Sequence, residues 1–141
     1  MSKENMISVS FKEGMQLTGH PLVNIVSELT NKNYLFIVDT GASTSYIFPN
    51  LFISESMELS PDSGKNICYG LDGNPMESCL INMTFLLEQG KFSHDMFLLE
   101  TMDAVNTVNE TFGIEIHGLL GLDFLVQNKL ILDYSSNTLH N

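Results

Sequence analysis

Residues 35–43 read Leu35-Phe36-Ile37-Val38-Asp39-Thr40-Gly41-Ala42-Ser43, an apolar run that ends in a small polar loop. A continuous apolar run of this length is typical of a strand that is buried on both faces. Asp39 follows that strand directly, at a place where a charged surface residue is least expected. Such a carboxylate must accept hydrogen bonds, pair with another charge or bind a proton. The alternative is an ordinary turn in which the Asp39 side chain caps Gly41 or Ala42.

Period-two alternation and short apolar runs predict further strands along the chain. The predicted strands cover residues 7–11, 22–26, 34–38 and 92–99, with hairpins at 67–87 and 129–139, and residues 46–48 resume the apolar character before Pro49. One short helix is predicted to start with Gly121 or Asp123 near its N-cap. Residues 54–66 are predicted to form a loop, and residues 101–109 an irregular connection. The pattern as a whole predicts a mainly β domain.

The hairpin at 67–87 carries its turn signal in Asp72-Gly73-Asn74-Pro75, because Gly73 and Asn74 suit a two-residue turn. A hairpin centred on this turn places Cys68 directly opposite Cys79. In a reducing compartment the two residues would be packed thiols, and in an oxidising one they could form a cross-strand disulfide. Neither cysteine belongs to a CxxC motif of the redox or zinc-binding kind.

The chain has 141 residues, with six lysines, no arginine, 17 acidic residues and a formal net charge of −11. This length predicts one domain. Clustered cations that could neutralise phosphates are missing, so we expect no nucleic-acid partner and no binding to an anionic membrane. No apolar segment approaches the roughly 18 residues of a membrane span, and no signal peptide is visible. We therefore expect a cytoplasmic protein, with the reservation that a trimmed export signal would leave the same sequence.

Three segments resemble the retropepsin-like aspartic proteases, and they occur in that family's order. Residues 36–43 are similar to the segment that carries the catalytic aspartate. Residues 118–125, Gly118-Leu119-Leu120-Gly121-Leu122-Asp123-Phe124-Leu125, resemble the strand that passes behind the catalytic loop and the helix that follows it. Residues 69–73 are similar to the glycine-containing flap that closes over the substrate. The resemblance identifies residues 1–141 as a single retropepsin-like domain.

The resemblance implies a closed acid-protease barrel with one short C-terminal helix, built as half of a two-fold dimer. This chemistry needs two carboxylates that share one proton, so that one activates a water and the other polarises the scissile carbonyl. The chain has a single Asp-Thr-Gly, so Asp39 of a second copy must supply the second carboxylate. The implied function is an aspartic endopeptidase that cleaves extended peptides or proteins without a cofactor.

The resemblance also implies roles for the neighbours of Asp39. Thr40 would form hydrogen bonds that tie the two catalytic loops together, and the Gly41 carbonyl would bind the substrate backbone. Ala42 stands where acidic-pH members carry a hydroxyl, which suggests a less acidic working range, and Ser43 completes the loop. The implied flap residues are Tyr69, Gly70, Leu71, Asp72 and Gly73. The implied structural residues behind the loop are Leu119, Leu120, Gly121 and Asp123.

Two other aspartates could be considered as the second carboxylate. Neither Asp123 nor Asp133 is followed by Thr-Gly, so Asp123 is predicted to cap the helix and Asp133 to form a hairpin turn. The missing arginines remove the ion pairs that retroviral members use at the dimer interface. A retropepsin-like domain that no longer cleaves, and serves as a dimerisation or peptide-binding module, therefore remains an alternative. A small-ligand β-barrel carrier is a third possibility, which the carboxylate at a strand end disfavours.

No metal site is predicted. The pairs His94-Asp95 and Glu115-x-His117 could each bind a metal in isolation. Neither has a second pair of ligands at the spacing that such a site needs.

Overall fold

The structure, a computed structural model, describes residues 6–57, 65–69, 75–99 and 102–141, and only the backbone of 65–69 and 75–78. Within these residues the strands are β1 (Ser8–Ser10), β2 (Leu22–Ser27), β3 (Asn33–Val38), β4 (Tyr46–Ile47), β5 (Lys65–Tyr69), β6 (Pro75–Leu87), β7 (Gly90–Leu98), β8 (Gly118–Leu120), β9 (Ile131–Asp133) and β10 (Thr138–His140). The helices are α1 (Lys12–Thr18), α2 (Pro49–Ser54), α3 (Asp103–Phe112) and α4 (Leu122–Gln127). The predicted mainly β class is confirmed.

Six strands close into a barrel in the order β2-β3-β8-β4-β7-β6, because β6 also pairs with β2. Strand β5 pairs with the outer part of β6 and extends the sheet beyond the barrel. Most neighbours are antiparallel, but β3 runs parallel to β8 and β4 runs parallel to β7. In the β3–β8 pair, Val38 lies opposite Leu120. The two strands therefore end side by side, and the loop after β3 lies beside the start of α4.

Strand β3 separates two apolar clusters. Tyr34, Phe36 and Val38 are buried in the main cluster inside the barrel. Leu35 and Ile37 alternate with them and pack, half-buried, against a second cluster on the other face. The predicted burial on both faces is thus complete on the inner face and partial on the outer one. The second cluster is built from Leu22, Ala42, Tyr46, Phe48, Val105, Ile116 and Leu119.

The chain ends form a separate three-stranded sheet with β10 between β1 and β9. The predicted terminal hairpin is confirmed by the pairing of β9 with β10. The predicted turn role of Asp133 is also confirmed, since its Oδ1 accepts a hydrogen bond from the Ser135 N–H at 2.9 Å. Its Oδ2 lies 3.2 Å from Nε2 of His140 in the paired strand.

The prediction of a single helix was wrong, because α1, α2 and α3 form in addition to the C-terminal α4. The clearest difference is α3, which occupies most of the stretch predicted as an irregular connection. Val105, Val108 and Phe112 follow helical spacing, and Val105 is buried in the second cluster. Gly113 ends the helix in the left-handed conformation, with a φ of 65°. This helix depends on packing against the barrel, since a helix of ten residues is marginal alone.

The predicted register of the β5–β6 hairpin was also wrong. Cys68 pairs with Met76 and Cys79 pairs with Lys65, so the cysteines are not opposite each other. The last pair is Tyr69 with Pro75, which leaves residues 70–74 rather than a two-residue turn between the strands. Cys79 is a free cysteine. Among the helices of the described residues, none has the length and apolar character needed to cross a membrane.

Candidate active site

Residues 39–45, which contain the predicted catalytic aspartate and are called the catalytic loop for that reason, begin where β3 leaves the barrel. The Asp39 N–H donates to the Leu120 carbonyl at 2.9 Å, which continues the pairing of β3 with β8 by one residue. The Asp39 side chain is half-buried. Its Oδ1 accepts the Gly41 N–H at 2.8 Å, so the turn considered from the sequence does form. Within the described residues this is the one hydrogen bond to the Asp39 carboxylate.

The remaining residues of the loop differ in exposure. Thr40, Gly41 and Ser43 are exposed, whereas Ala42 is buried with the second apolar cluster. A Cβ on Gly41 would lie 3.1 Å from Asp39 Oδ1, so a side chain there would crowd the carboxylate. The loop therefore presents Thr40, Gly41 and Ser43 outward and is attached to the core through Ala42.

The strand–helix junction of β8 and α4 lies directly behind the catalytic loop. Leu119 and Leu120 are buried in the second and the main cluster respectively. A Cβ on Gly121 would lie 2.4 Å from the Thr44 carbonyl oxygen and 2.7 Å from the Ala42 carbonyl oxygen. Only glycine permits this approach of the two backbones. The Leu122 N–H then donates to the Ala42 carbonyl at 2.8 Å.

Asp123 joins this junction to the far side of the loop. Its Oδ1 accepts the Ser45 hydroxyl at 2.7 Å, and its Oδ2 accepts the Ser45 N–H at 3.1 Å. Nε2 of His94, on β7, lies 2.9 Å from the same Oδ2. The Ser45 hydroxyl also accepts the Gly121 N–H at 2.9 Å. We call Ser45, His94 and Asp123 the Asp123 cluster.

The prediction that Asp123 caps α4 was wrong. The N-cap of α4 is Gly121, which was the other candidate, and Asp123 lies inside the first turn. Burial raises the pKa of Asp123, but the hydrogen bonds from His94 and Ser45 outweigh it and hold that pKa below the ordinary value. Asp123 is therefore charged at neutral pH, and it holds the end of the loop through its hydrogen bonds from Ser45.

The implied flap residues lie largely outside the part of the chain that the structure describes. Gly70, Leu71, Asp72 and Gly73 of the implied flap lie outside the described residues, and of Tyr69 only the backbone is described, in β5. Asp133 lies in the terminal hairpin. The geometry therefore joins the catalytic loop to the β8–α4 junction.

No group of three or more His, Cys, Asp or Glu side chains in the described part of the chain could hold a metal ion. His94 is bonded to Asp123. His117 Nε2 lies 3.4 Å from Glu115 Oε1, and burial lowers the pKa of His117 below its ordinary value. The two histidines considered as ligands therefore have protein partners.

Ser45 was not predicted from the sequence, and His94 was considered there only as a metal ligand paired with Asp95. The position of His94 in the sequence pattern indicated burial, because buried and exposed residues alternate over 90–96 of β7 and His94 falls between the buried Phe92 and Met96. A histidine at an inward position needs a polar partner. The sequence does not say which partner, since Asp123 lies 29 residues away.

Comparisons with known proteins agree with this architecture. A retropepsin-like aspartic protease from Rickettsia conorii is 17% identical, with a TM-score of 0.55 over 96% of this chain and 87% of that one. The retroviral protease-like domain of Ddi1 from Leishmania major is 17% identical, with a TM-score of 0.58 over 84% of this chain and 83% of that one. No protein-family model and no curated protein matches the sequence. The chain therefore has the retropepsin-like fold.

Proposed function

We propose that this chain is an aspartic endopeptidase that acts as a homodimer, with the Asp39 carboxylates of two copies forming the catalytic pair. The observation that carries the proposal is the state of Asp39. It is half-buried at the end of a core strand, and in the described part of the chain its carboxylate accepts one hydrogen bond, from Gly41. A carboxylate with unused acceptor positions in an otherwise well-bonded loop is available to bind a water and a proton.

In the proposed reaction a water lies between Asp39 and the partner's Asp39. Like charges a few ångströms apart repel, so one carboxylate is ionised and the other is protonated. The ionised carboxylate takes a proton from the water. At the same time the water oxygen attacks the carbonyl carbon of the peptide. The protonated carboxylate donates a hydrogen bond to the carbonyl oxygen. Collapse of the tetrahedral intermediate, with proton transfer to the leaving amine, breaks the C–N bond.

The exposed part of the catalytic loop supports this arrangement. Thr40 and Gly41 are accessible from outside the chain, as residues that face a second copy and a substrate must be. Thr40 would bond to the partner's loop, and the Gly41 carbonyl would accept a hydrogen bond from the substrate backbone. The substrate would bind extended beneath residues 69–73, mainly through backbone contacts.

The alternative is a module that dimerises or binds peptides without cleaving them. The observation that favours it is charge, since the chain has a net charge of −11 and no arginine to pair across an interface. Two acidic copies repel each other at low ionic strength. Association would then depend on salt and on apolar contacts.

The decisive experiment compares Asp39→Asn with the wild type. We expect wild-type protein to cleave a diverse peptide mixture, read by mass spectrometry, and Asp39→Asn to lose that cleavage. Asp95→Asn is the matched control, because Asp95 is exposed on β7 and accepts a hydrogen bond from Asn82. Cleavage that persists in Asp39→Asn would disprove the proposal.

Sedimentation velocity over a range of protein and salt concentrations separates the two functions. The endopeptidase requires that activity rises with the dimer fraction and is blocked by a statine-containing peptide, which mimics the tetrahedral intermediate. A dimer that cleaves nothing supports the binding module. A strict monomer that cleaves peptides contradicts the paired-carboxylate mechanism.

A further inference from the structure

The Asp123 cluster connects Ser45, at the end of the catalytic loop, to His94 on strand β7. Asp123 accepts two hydrogen bonds from Ser45, through the N–H and the hydroxyl. Ser45 is the last residue of the catalytic loop, is fully buried, and its carbonyl accepts the Phe97 N–H at 3.0 Å. The end of the loop is therefore held by Asp123 from one side and by β7 from the other.

His94 fixes Asp123 in turn. An ionised carboxylate can only accept hydrogen bonds, so at 2.9 Å the His94 Nε2 is the donor to Oδ2. The imidazole is 6% exposed and its ring packs edge-on against Phe124, with 5.3 Å between ring centroids. Phe124 is fully buried and packs against Phe85 and Phe92. The orientation of His94 is therefore set by the core.

We propose that His94 is a positioning residue for the catalytic aspartate, acting through Asp123 and Ser45 on the catalytic loop. This inference rests on the proposed endopeptidase function. The path runs from His94 Nε2 to Asp123, from Asp123 to Ser45, and along the loop to Asp39. At the other end the loop is fixed by the bond from the Asp39 N–H to Leu120.

The same three residues do not form a nucleophilic triad. In such a triad the histidine lies between the serine and the carboxylate and accepts the serine proton. Here Asp123 lies between Ser45 and His94. Ser45 is also fully buried and cannot reach a substrate. The cluster can position the loop but cannot supply the chemistry.

The test compares His94→Leu, which removes the donor at similar size, with His94→Gln, which keeps an N–H donor. Because misplacement of a reacting group by about 1 Å can cost about 100-fold, we expect His94→Leu to lower kcat by about 10- to 100-fold. KM should change little, and His94→Gln should recover most of the loss. Active sites are titrated with a statine-containing peptide, so that kcat refers to folded dimer.

Met96→Ala is the matched control for a purely structural effect. Met96 is fully buried on the same face of β7, two residues from His94, and belongs to the main apolar cluster. We expect Met96→Ala to lower Tm without lowering kcat per active site. Equal kcat values in His94→Leu and Met96→Ala, or no recovery in His94→Gln, would overturn the positioning role.

A second readout does not depend on catalysis. The Gly41 N–H donates to Asp39 Oδ1, so its amide chemical shift reports the geometry at Asp39. This shift should move in His94→Leu and stay unchanged in Met96→Ala. If the wild type cleaves nothing, the proposed function fails, and an unmoved Gly41 shift separately refutes the positioning role. Should His94→Leu not fold, Asp123→Asn replaces it, with the same expectations.

Discussion

The two ends of β3 place a carboxylate in very different surroundings. At its start, Tyr34 donates its hydroxyl to Glu55 Oε2 at 2.6 Å. Glu55 is 5% exposed and also accepts hydrogen bonds from the hydroxyls of Ser27 and Thr30. We call these four residues the Glu55 cluster. It is a buried carboxylate that accepts three hydrogen bonds from neutral hydroxyl groups.

At the other end of the same strand, Asp39 is half-buried and accepts one hydrogen bond from Gly41 within the described residues. A buried charge stabilises a fold only when its hydrogen bonds are made, so the Glu55 cluster can contribute to stability while Asp39 contributes little. Strand β3 therefore contacts a well-bonded buried carboxylate at its start, where Tyr34 donates to Glu55 after α2. At its end it leads into Asp39, whose carboxylate has one hydrogen bond within the described residues.

The largest expected effect is the contrast between activity and stability in Asp39→Asn. Peptide cleavage should fall by about 10³-fold or more, since the general acid–base group is removed. Tm should not decrease, because the Asn side-chain oxygen can still accept the Gly41 N–H. Thermal unfolding and cleavage assays on the same samples measure both. A large drop in Tm would mean that the Asp39 carboxylate stabilises the fold, as the Glu55 carboxylate is expected to do.

Gly121→Ala tests how tightly the Asp39 end is held. The added Cβ would meet two backbone oxygens, those of Thr44 and Ala42, which cannot rotate away. We expect a loss of about 3 kcal/mol in the free energy of unfolding, together with loss of cleavage. Gly19→Ala is the control: Gly19 has a φ of 77° and open space around it, so about 1 kcal/mol is expected. Equal losses in urea unfolding would show that the contact is not tight.

Glu55→Gln tests the other end of β3. In the wild type, three hydroxyls donate hydrogen bonds to the Glu55 carboxylate. The glutamine amide offers one acceptor oxygen and two N–H donors, so some of these hydrogen bonds are lost or must reverse their direction. We expect the free energy of unfolding to fall by about 1–3 kcal/mol, with kcat per active site unchanged. A fall in kcat without a fall in the free energy of unfolding would contradict the structural role of Glu55.

Stability is expected to decrease in acid because of the same cluster. Burial raises the pKa of Glu55, but the hydrogen bonds from Ser27, Thr30 and Tyr34 outweigh it and hold that pKa below the ordinary value of 4.5. The folded state therefore binds the proton less readily than the unfolded state. Its extra stability is complete above pH 4.5 and is lost as the pH falls through the folded pKa.

Urea unfolding of wild type and Glu55→Gln at pH values from about 7 to 3 measures this loss. The difference in stability between the two proteins should narrow below the unfolded pKa of Glu55. Asp123 adds a loss of the same sign at lower pH, since its folded pKa is also held below the ordinary value of 3.8. A constant difference across the range would contradict the assignment to Glu55.

The smallest expected effect concerns Ala42, next to the Asp39 turn. A serine hydroxyl there would favour the charged form of a neighbouring carboxylate, so the acid limb of the pH profile of kcat/KM should move to lower pH in Ala42→Ser. Ser43→Ala, at the exposed next residue, is the control and should leave the profile in place. Identical profiles in all three proteins would remove the proposed link between Ala42 and a less acidic working range.

The sequence by itself determined the positions of most strands and the short helix after Gly121, and it predicted the segment that carries Asp39. These features depend on local patterns: an apolar run followed by Asp39-Thr40-Gly41, period-two alternation, and glycine at a close approach. The single Asp-Thr-Gly also led directly to the proposal of a homodimer.

Tertiary structure alone decided the hairpin register, helix α3 and both polar clusters. The register of β5 with β6 differs from the one that the turn residues predict, and α3 depends on packing that its own residues cannot supply. Ser45 and Asp123 are 78 residues apart, and Ser27 and Glu55 are 28 apart. Buried hydroxyls and carboxylates need partners, but their types do not say which distant partner the fold brings within hydrogen-bond distance.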